Sequence, residues 1–79
     1  MKIIVKNLSK RALMELATDL GDCKWWLQDE ELVDSEYDLY DITFTEGVIV
    51  TAIINTIWVD CMGRKSSFEI DDCERIEII

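Results

Sequence analysis

The rhythm of apolar and polar positions changes twice along this 79-residue chain. Lys2–Lys6 reads as a short strand whose unbroken Ile3-Ile4-Val5 run suits burial on both faces. The period then lengthens. Leu13, Leu16, Ala17 and Leu20 recur at i, i+3, i+4 and i+7, which makes one apolar stripe on a helix. Ser9 is placed to cap that helix, because its hydroxyl can accept from the unpaired amides of the first turn. Leu8 and Leu13 are spaced for a hydrophobic staple. Gly21 stands where a left-handed residue would end the helix. The spacing predicts a helix over 10–20.

Residues 22–36 are harder to read. Trp25 and Leu27 alternate around Trp26, which predicts a short strand over 24–28. The following DEELVDSE reads either as a loop or as one or two helical turns carrying Leu32 and Val33. Beyond it the period is two. Tyr40–Thr45 alternates around Ile42 and Phe44, and Glu46-Gly47 has the chemistry of a two-residue hairpin turn. Val48–Cys61 is rich in Val, Ile, Thr and Trp and reads as one long strand. Met62-Gly63 is a second turn, and strand 65–70 follows. Asp71-Asp72 breaks the pattern, and 75–79 alternates once more.

Two-residue turns at 46–47 and 62–63 fix a register. Phe44 falls opposite Ile49, Phe68 opposite Ile57 and Asp60 opposite Lys65, so Ile42, Phe44, Ile49, Ile53, Ile57, Val59, Phe68 and Ile70 point one way. The other face then carries Val48, Val50, Ala52, Ile54 and Trp58 and needs a cover. The Trp25–Val33 segment, closure into a barrel, and a second subunit are the three candidates. The fold class expected is α+β in a single domain over 1–79. One N-terminal helix packs on a four- to five-stranded antiparallel sheet; the alternative is a small SH3-like or Sm-like barrel with an N-terminal helix.

Composition changes this picture in one place. Net charge is −9, and Trp25–Gly63 carries nine acids with no lysine or arginine. Seven of them, Asp29, Glu30, Glu31, Asp34, Glu36, Asp38 and Asp41, lie within thirteen residues. Such a block repels itself, and is either a solvated surface or one that meets something positive. Lys10 and Arg11 stand in the first helical turn, where the dipole disfavours cations, and are available as counter-charges.

Several classes are disfavoured. Without histidine there is no Ser-His or Cys-His pair, no phosphate-cradling glycine loop occurs, and no carboxylate pair stands apart from the rest. No catalytic residue, cofactor site or metal site is assigned, since a calcium loop would need a glycine within the acidic run. Cys23, Cys61 and Cys73 are odd in number without a CxxC, so buried reduced thiols are expected. The opening MKIIVKNLSK does not read as a signal peptide, and residues 48–59 are too short and too polar for a membrane span. A cytoplasmic setting is expected. Direct nucleic-acid binding is disfavoured for want of a basic patch.

What remains is an acidic surface flanked by aromatic candidates for interface anchors, Trp25, Trp26, Tyr37 and Tyr40. The function expected is non-enzymatic binding of a protein with a basic surface. The alternative is an acidic mimic of nucleic acid that inhibits a DNA- or RNA-binding protein. A homodimer through Val48, Val50, Ile54 and Trp58 is a further expectation.

Overall fold

The computed structural model describes residues 2–21 and 26–79. Strand β1 (Ile3–Ser9) runs directly into helix α1 (Lys10–Leu20). There follow β2 (Leu27–Asp34), β3 (Leu39–Phe44), β4 (Val48–Ile53), β5 (Thr56–Cys61), β6 (Arg64–Glu69), a single 3-10 turn at Ile70–Asp72, and β7 (Arg75–Ile78). The strands form two antiparallel sheets, one in the order β2-β3-β1-β7 and one in the order β4-β5-β6. The α+β class holds, and the single sheet of four or five strands is corrected, among the described residues, to two sheets totalling seven strands.

The helix forms where its stripe predicts. Ser9 Oγ accepts from the Ala12 amide at 3.2 Å, and Ala12, Leu13, Leu16 and Leu20 are buried. Leu8 is buried beside them, as a staple residue should be. Gly21 is a correction, since it continues the right-handed helical backbone (φ −55°) and takes no left-handed conformation. Toward its C-terminal end the helix is tied to β6. Ser66 Oγ, itself buried, donates to Asp19 Oδ2 at 2.6 Å, and Arg64 Nε donates to the Asp19 carbonyl. Helix and both sheets share one core, in which Phe44, Leu8, Leu16, Leu20 and Ile42 are its largest closed side chains.

Two turns explain the difference in sheets. Glu46-Gly47 is a turn but not a hairpin: β3 lies between β1 and β2, so the chain crosses there to the second sheet, and Phe44 faces Ile3 and Leu27 rather than Ile49. Residues 48–61 are not one strand, because a turn at Ile54-Asn55 folds them into the β4–β5 hairpin, closed by the Ile53–Thr56 pair. A two-residue turn pairs an odd with an even number, so it exchanges the parity of the two faces. Ile57, Val59 and Phe68 therefore point into the core with Val48 and Val50, while Ile49 and Ile53 point out. The Met62-Gly63 turn stands, with both residues left-handed (φ 54° and 88°), and Phe68 lies opposite Ile57 and Lys65 opposite Asp60.

Of the three cysteines, Cys61 is disulfide-bonded and Cys73 is free. The expectation of reduced thiols is thus corrected at Cys61; Cys23 lies outside the described residues. Among those residues no helix is long and apolar enough to cross a membrane.

A candidate acidic interface on the open sheet face

The acidic segment is a strand, neither a loop nor helical turns. β2 is the outer strand of the four-stranded sheet, and every side chain from Gln28 to Val33 is exposed. Its register shifts twice, between Leu27 and Asp29 and between Leu32 and Asp34. Those irregularities, on a strand that buries neither face, erase the alternation by which strands are read.

The structure sorts the seven acids into two groups. Three hold the fold. Asp34 Oδ1 accepts from the Glu36 and Tyr37 amides at 3.0 and 3.3 Å, which builds the turn into β3. Asp38 is left-handed (φ 50°), and its carbonyl accepts from the Lys10 amide, one of the helix's unpaired first-turn donors. Its carboxylate lies 3.9 Å from Lys10 Nζ, so the cation at the unfavourable helix end has a local counter-charge. Arg11 instead meets Asp72 at 2.8 Å, outside the acidic segment.

Asp41 is the third. Its Oδ2 accepts from Lys6 Nζ and its Oδ1 from the Asn7 amide, both at 3.0 Å. Asn7 is left-handed (φ 53°) at the bulge where β1 shifts register against β3, so Asp41 closes that irregularity. Burial pushes the Asp41 carboxyl up, but the Asn7 amide, the Lys6 ammonium and the charge of Arg75 together outweigh it. The group is held below the ordinary carboxylate value.

The other four acids, Asp29, Glu30, Glu31 and Glu36, are exposed. Asp29 lies across from Thr43, Glu30 from Ile42 and Glu31 from Asp41. Together with Ile4, Lys6, Asp41 and Thr43, the first three line a hollow of about 400 Å³ on the sheet. Glu31 opposite Asp41 is a like-charge cross-strand pair, which a sheet normally avoids. Lys6 at the floor offsets one of those charges. Lys6 is the residue that sequence reasoning missed, because its place depends on the pairing of β1 with β3.

The aromatic candidates do not gather at this hollow. Trp26 is buried and packs on Phe44, ring centroids 6.2 Å apart at 49°, so it is a core residue. Tyr40 is half-buried against the core. Tyr37 is exposed in the turn beside Glu36, and Trp25 lies outside the described residues. Nor do the four dimer-face candidates form one surface. Val48 is buried and Val50 half-buried on the inner side of β4, whereas Ile54 and Trp58 are exposed.

Among the described residues no three His, Cys, Asp or Glu side chains are grouped so as to hold a metal ion. Cys73 is half-buried; burial first, then Asp72 and Asp71, push its thiol up, which makes it a poor nucleophile. Compared with protein-family models, curated proteins and solved structures, the chain matches none.

Proposed function

We propose that this protein is a non-enzymatic recognition domain whose binding surface is the acidic hollow beside β2, and whose partner is a protein presenting lysine or arginine. The observation that carries this reading is the placement of Glu31 directly across from Asp41, with Asp29 and Glu30 beside them and one lysine among the four carboxylates. A like-charge pair on an open sheet costs a fraction of a kcal/mol, and an incoming cation relieves it. An arginine is the best fit, since its planar fork engages carboxylates through two parallel hydrogen bonds.

The runner-up is mimicry of nucleic acid. Counting both faces of the strand, Asp29–Glu31 offers one charge per about 3.4 Å, the axial density of a single DNA strand. On that reading the partner is a nucleic-acid-binding protein, and duplex DNA competes for it. The expected cytoplasmic setting rested on the absence of a signal-peptide pattern and of a membrane span; the disulfide at Cys61 points instead to an oxidising compartment.

The test compares two double variants of equal net charge, D29N/E31Q and E15Q/D71N, titrated with an octa-arginine peptide by calorimetry. Asp34 and Asp41 are left intact because their side chains build the fold, and Asp38 because it pairs with Lys10 and holds the left-handed turn before β3. The first variant should bind at least about tenfold more weakly than the second, with a smaller salt dependence. Equal weakening of both would mean that the peptide reads only net charge, and the proposal would fail.

A further inference from the structure

On the second sheet, β4 is an outer strand. Among the described residues β4 has β5 as its one strand neighbour. It is also the one strand without a charged side chain, in a molecule of net charge −9. Its sequence, Val-Ile-Val-Thr-Ala-Ile, is β-branched, uncharged and free of proline. Proteins ordinarily protect such an edge with a charge, a proline, a bulge or a covering element. β4 has regular one-to-one pairing with β5 and no bulge. Outward of the core, Ile49 is 65% and Ile53 54% exposed.

Register decides what the edge can accept. The Ile53–Thr56 pair closes a two-residue turn, so it is a hydrogen-bonded pair, and bonded pairs alternate from there. Ile53, Thr51 and Ile49 turn their backbone groups toward β5. Val50 and Ala52 turn theirs away from it, to the open edge. A second antiparallel strand must place its own outward-facing residues against these two.

We propose that β4 pairs with β4 of a second copy of this chain about a two-fold axis through Thr51. In that register Val50 faces Ala52 of the second copy and Ala52 faces Val50. The outward donors and acceptors of Val50 and Ala52 in both strands are therefore satisfied together. The axis stands perpendicular to the sheet and keeps each face on its own side. Ile49 then meets Ile53 of the second copy on the outer face, and Thr51 meets Thr51 at the close, non-bonded position. The two sheets join into one of six strands. Self-complementarity and lack of charge together point to a second copy as occupant: about this axis apolar residues meet apolar residues and Thr51 meets Thr51, so two chains of charge −9 pair here without setting any charged side chains opposite each other. This inference does not depend on the acidic hollow, which lies on the other sheet.

One strand edge is a small interface, so association should be weak, in the micromolar range or above. Sedimentation from about 5 µM to 1 mM should show a monomer–dimer equilibrium. T51K sets two ammonium groups against each other at the axis and should weaken it at least about tenfold. Q28K adds the same charge to the exposed edge strand β2 and should leave it unchanged. Circular dichroism should be alike for all three proteins. Hydrogen exchange in the dimer should protect the Val50 and Ala52 amides, and T51K should release them. A wild-type monomer at 1 mM overturns the proposal. So does a dimer that T51K spares, one that Q28K weakens equally, or one in which those two amides exchange freely.

Discussion

β2 and β4 are both edge strands of one small protein, and they are built in opposite ways. β2 carries Asp29, Glu30, Glu31 and Asp34 and shifts register twice. β4 carries no charge and pairs evenly along its length. Charge and irregularity are the usual means of keeping a strand edge from pairing with another chain. Of the other two edges, β6 has the helix alongside, and β7 carries the charged Arg75 and Glu77 between isoleucines. The contrast teaches that the acids of β2 have two consequences at once. They disfavour pairing at that edge, and they make the surface beside it negative. On the two readings proposed above, β2 would serve recognition through side chains and β4 recognition through its backbone.

The comparison holds only if both edges belong to one cooperative body. Phe44 tests this, because it is buried, faces Leu27 of β2 and Ile3 of β1, and belongs to the same core as Ile57 and Val59 of the second sheet. Phe44→Ala should cost about 3–5 kcal/mol. A chain of this size has about 4–12 kcal/mol in total, so the variant should be near unfolding. Denaturant melts followed by amide signals of β2 and of β4 should shift together. Separate midpoints for the two sheets would break the comparison, since each edge would then belong to its own unit.

A smaller effect is expected at Asp41, beneath the acidic strand. Its carboxyl sits below the ordinary value of 3.8 when folded, so it binds its proton more weakly in the native state than in the unfolded chain. Its contribution is therefore complete above pH 3.8 and is lost as pH falls from there through the folded value. Asp41→Asn should cost about 1 kcal/mol at neutral pH, a discounted figure because the pair with Lys6 is partly open to solvent. The variant's stability should also fall less steeply below pH 4 than that of the wild type. The loss should appear in the exchange of β2 and β3 amides and spare β4. If acid loosens β4 equally, the electrostatic distinction between the two sheets fails.

Legibility in the sequence followed from how much of each signal is local. The helix was legible because its stripe, its Ser9 cap and its length are all local. The Met62-Gly63 hairpin was legible because Gly63 supplies the left-handed conformation such a turn requires. At Glu46-Gly47 the turn chemistry is plain in the sequence, but the same residues serve a hairpin or a crossing between sheets. Only the long-range pairing of β3 with β1 decides which. β2 was hidden because an exposed edge strand need not alternate. Within the candidate site, the seven acids were legible as a cluster. Their division into fold-holding and exposed members was not, since Asp41 depends on Lys6 and Asn7, more than thirty residues away.

The turn at Ile54-Asn55 leaves no mark in the sequence, and a stabilising substitution lies there. Ile54 is 94% exposed with φ +57°, and a β-branched residue in that region is strained. No glycine or proline marks the position, so the turn has no punctuation to read. Ile54→Asn keeps a side chain that tolerates the left-handed region and removes no buried contact. It should stabilise the fold by about 0.5–1 kcal/mol, raising Tm by roughly 2–8 °C. Its effect on self-association separates two ways in which the β4 edge can act. Pairing through the backbone of Val50 and Ala52 leaves the dimer affinity within about twofold of wild type, whereas a contact made by the apolar tip weakens it by more than about tenfold. The first outcome, with the rise in Tm, keeps β4 as the backbone counterpart of the acidic β2; the second moves its recognition from the strand edge to the turn.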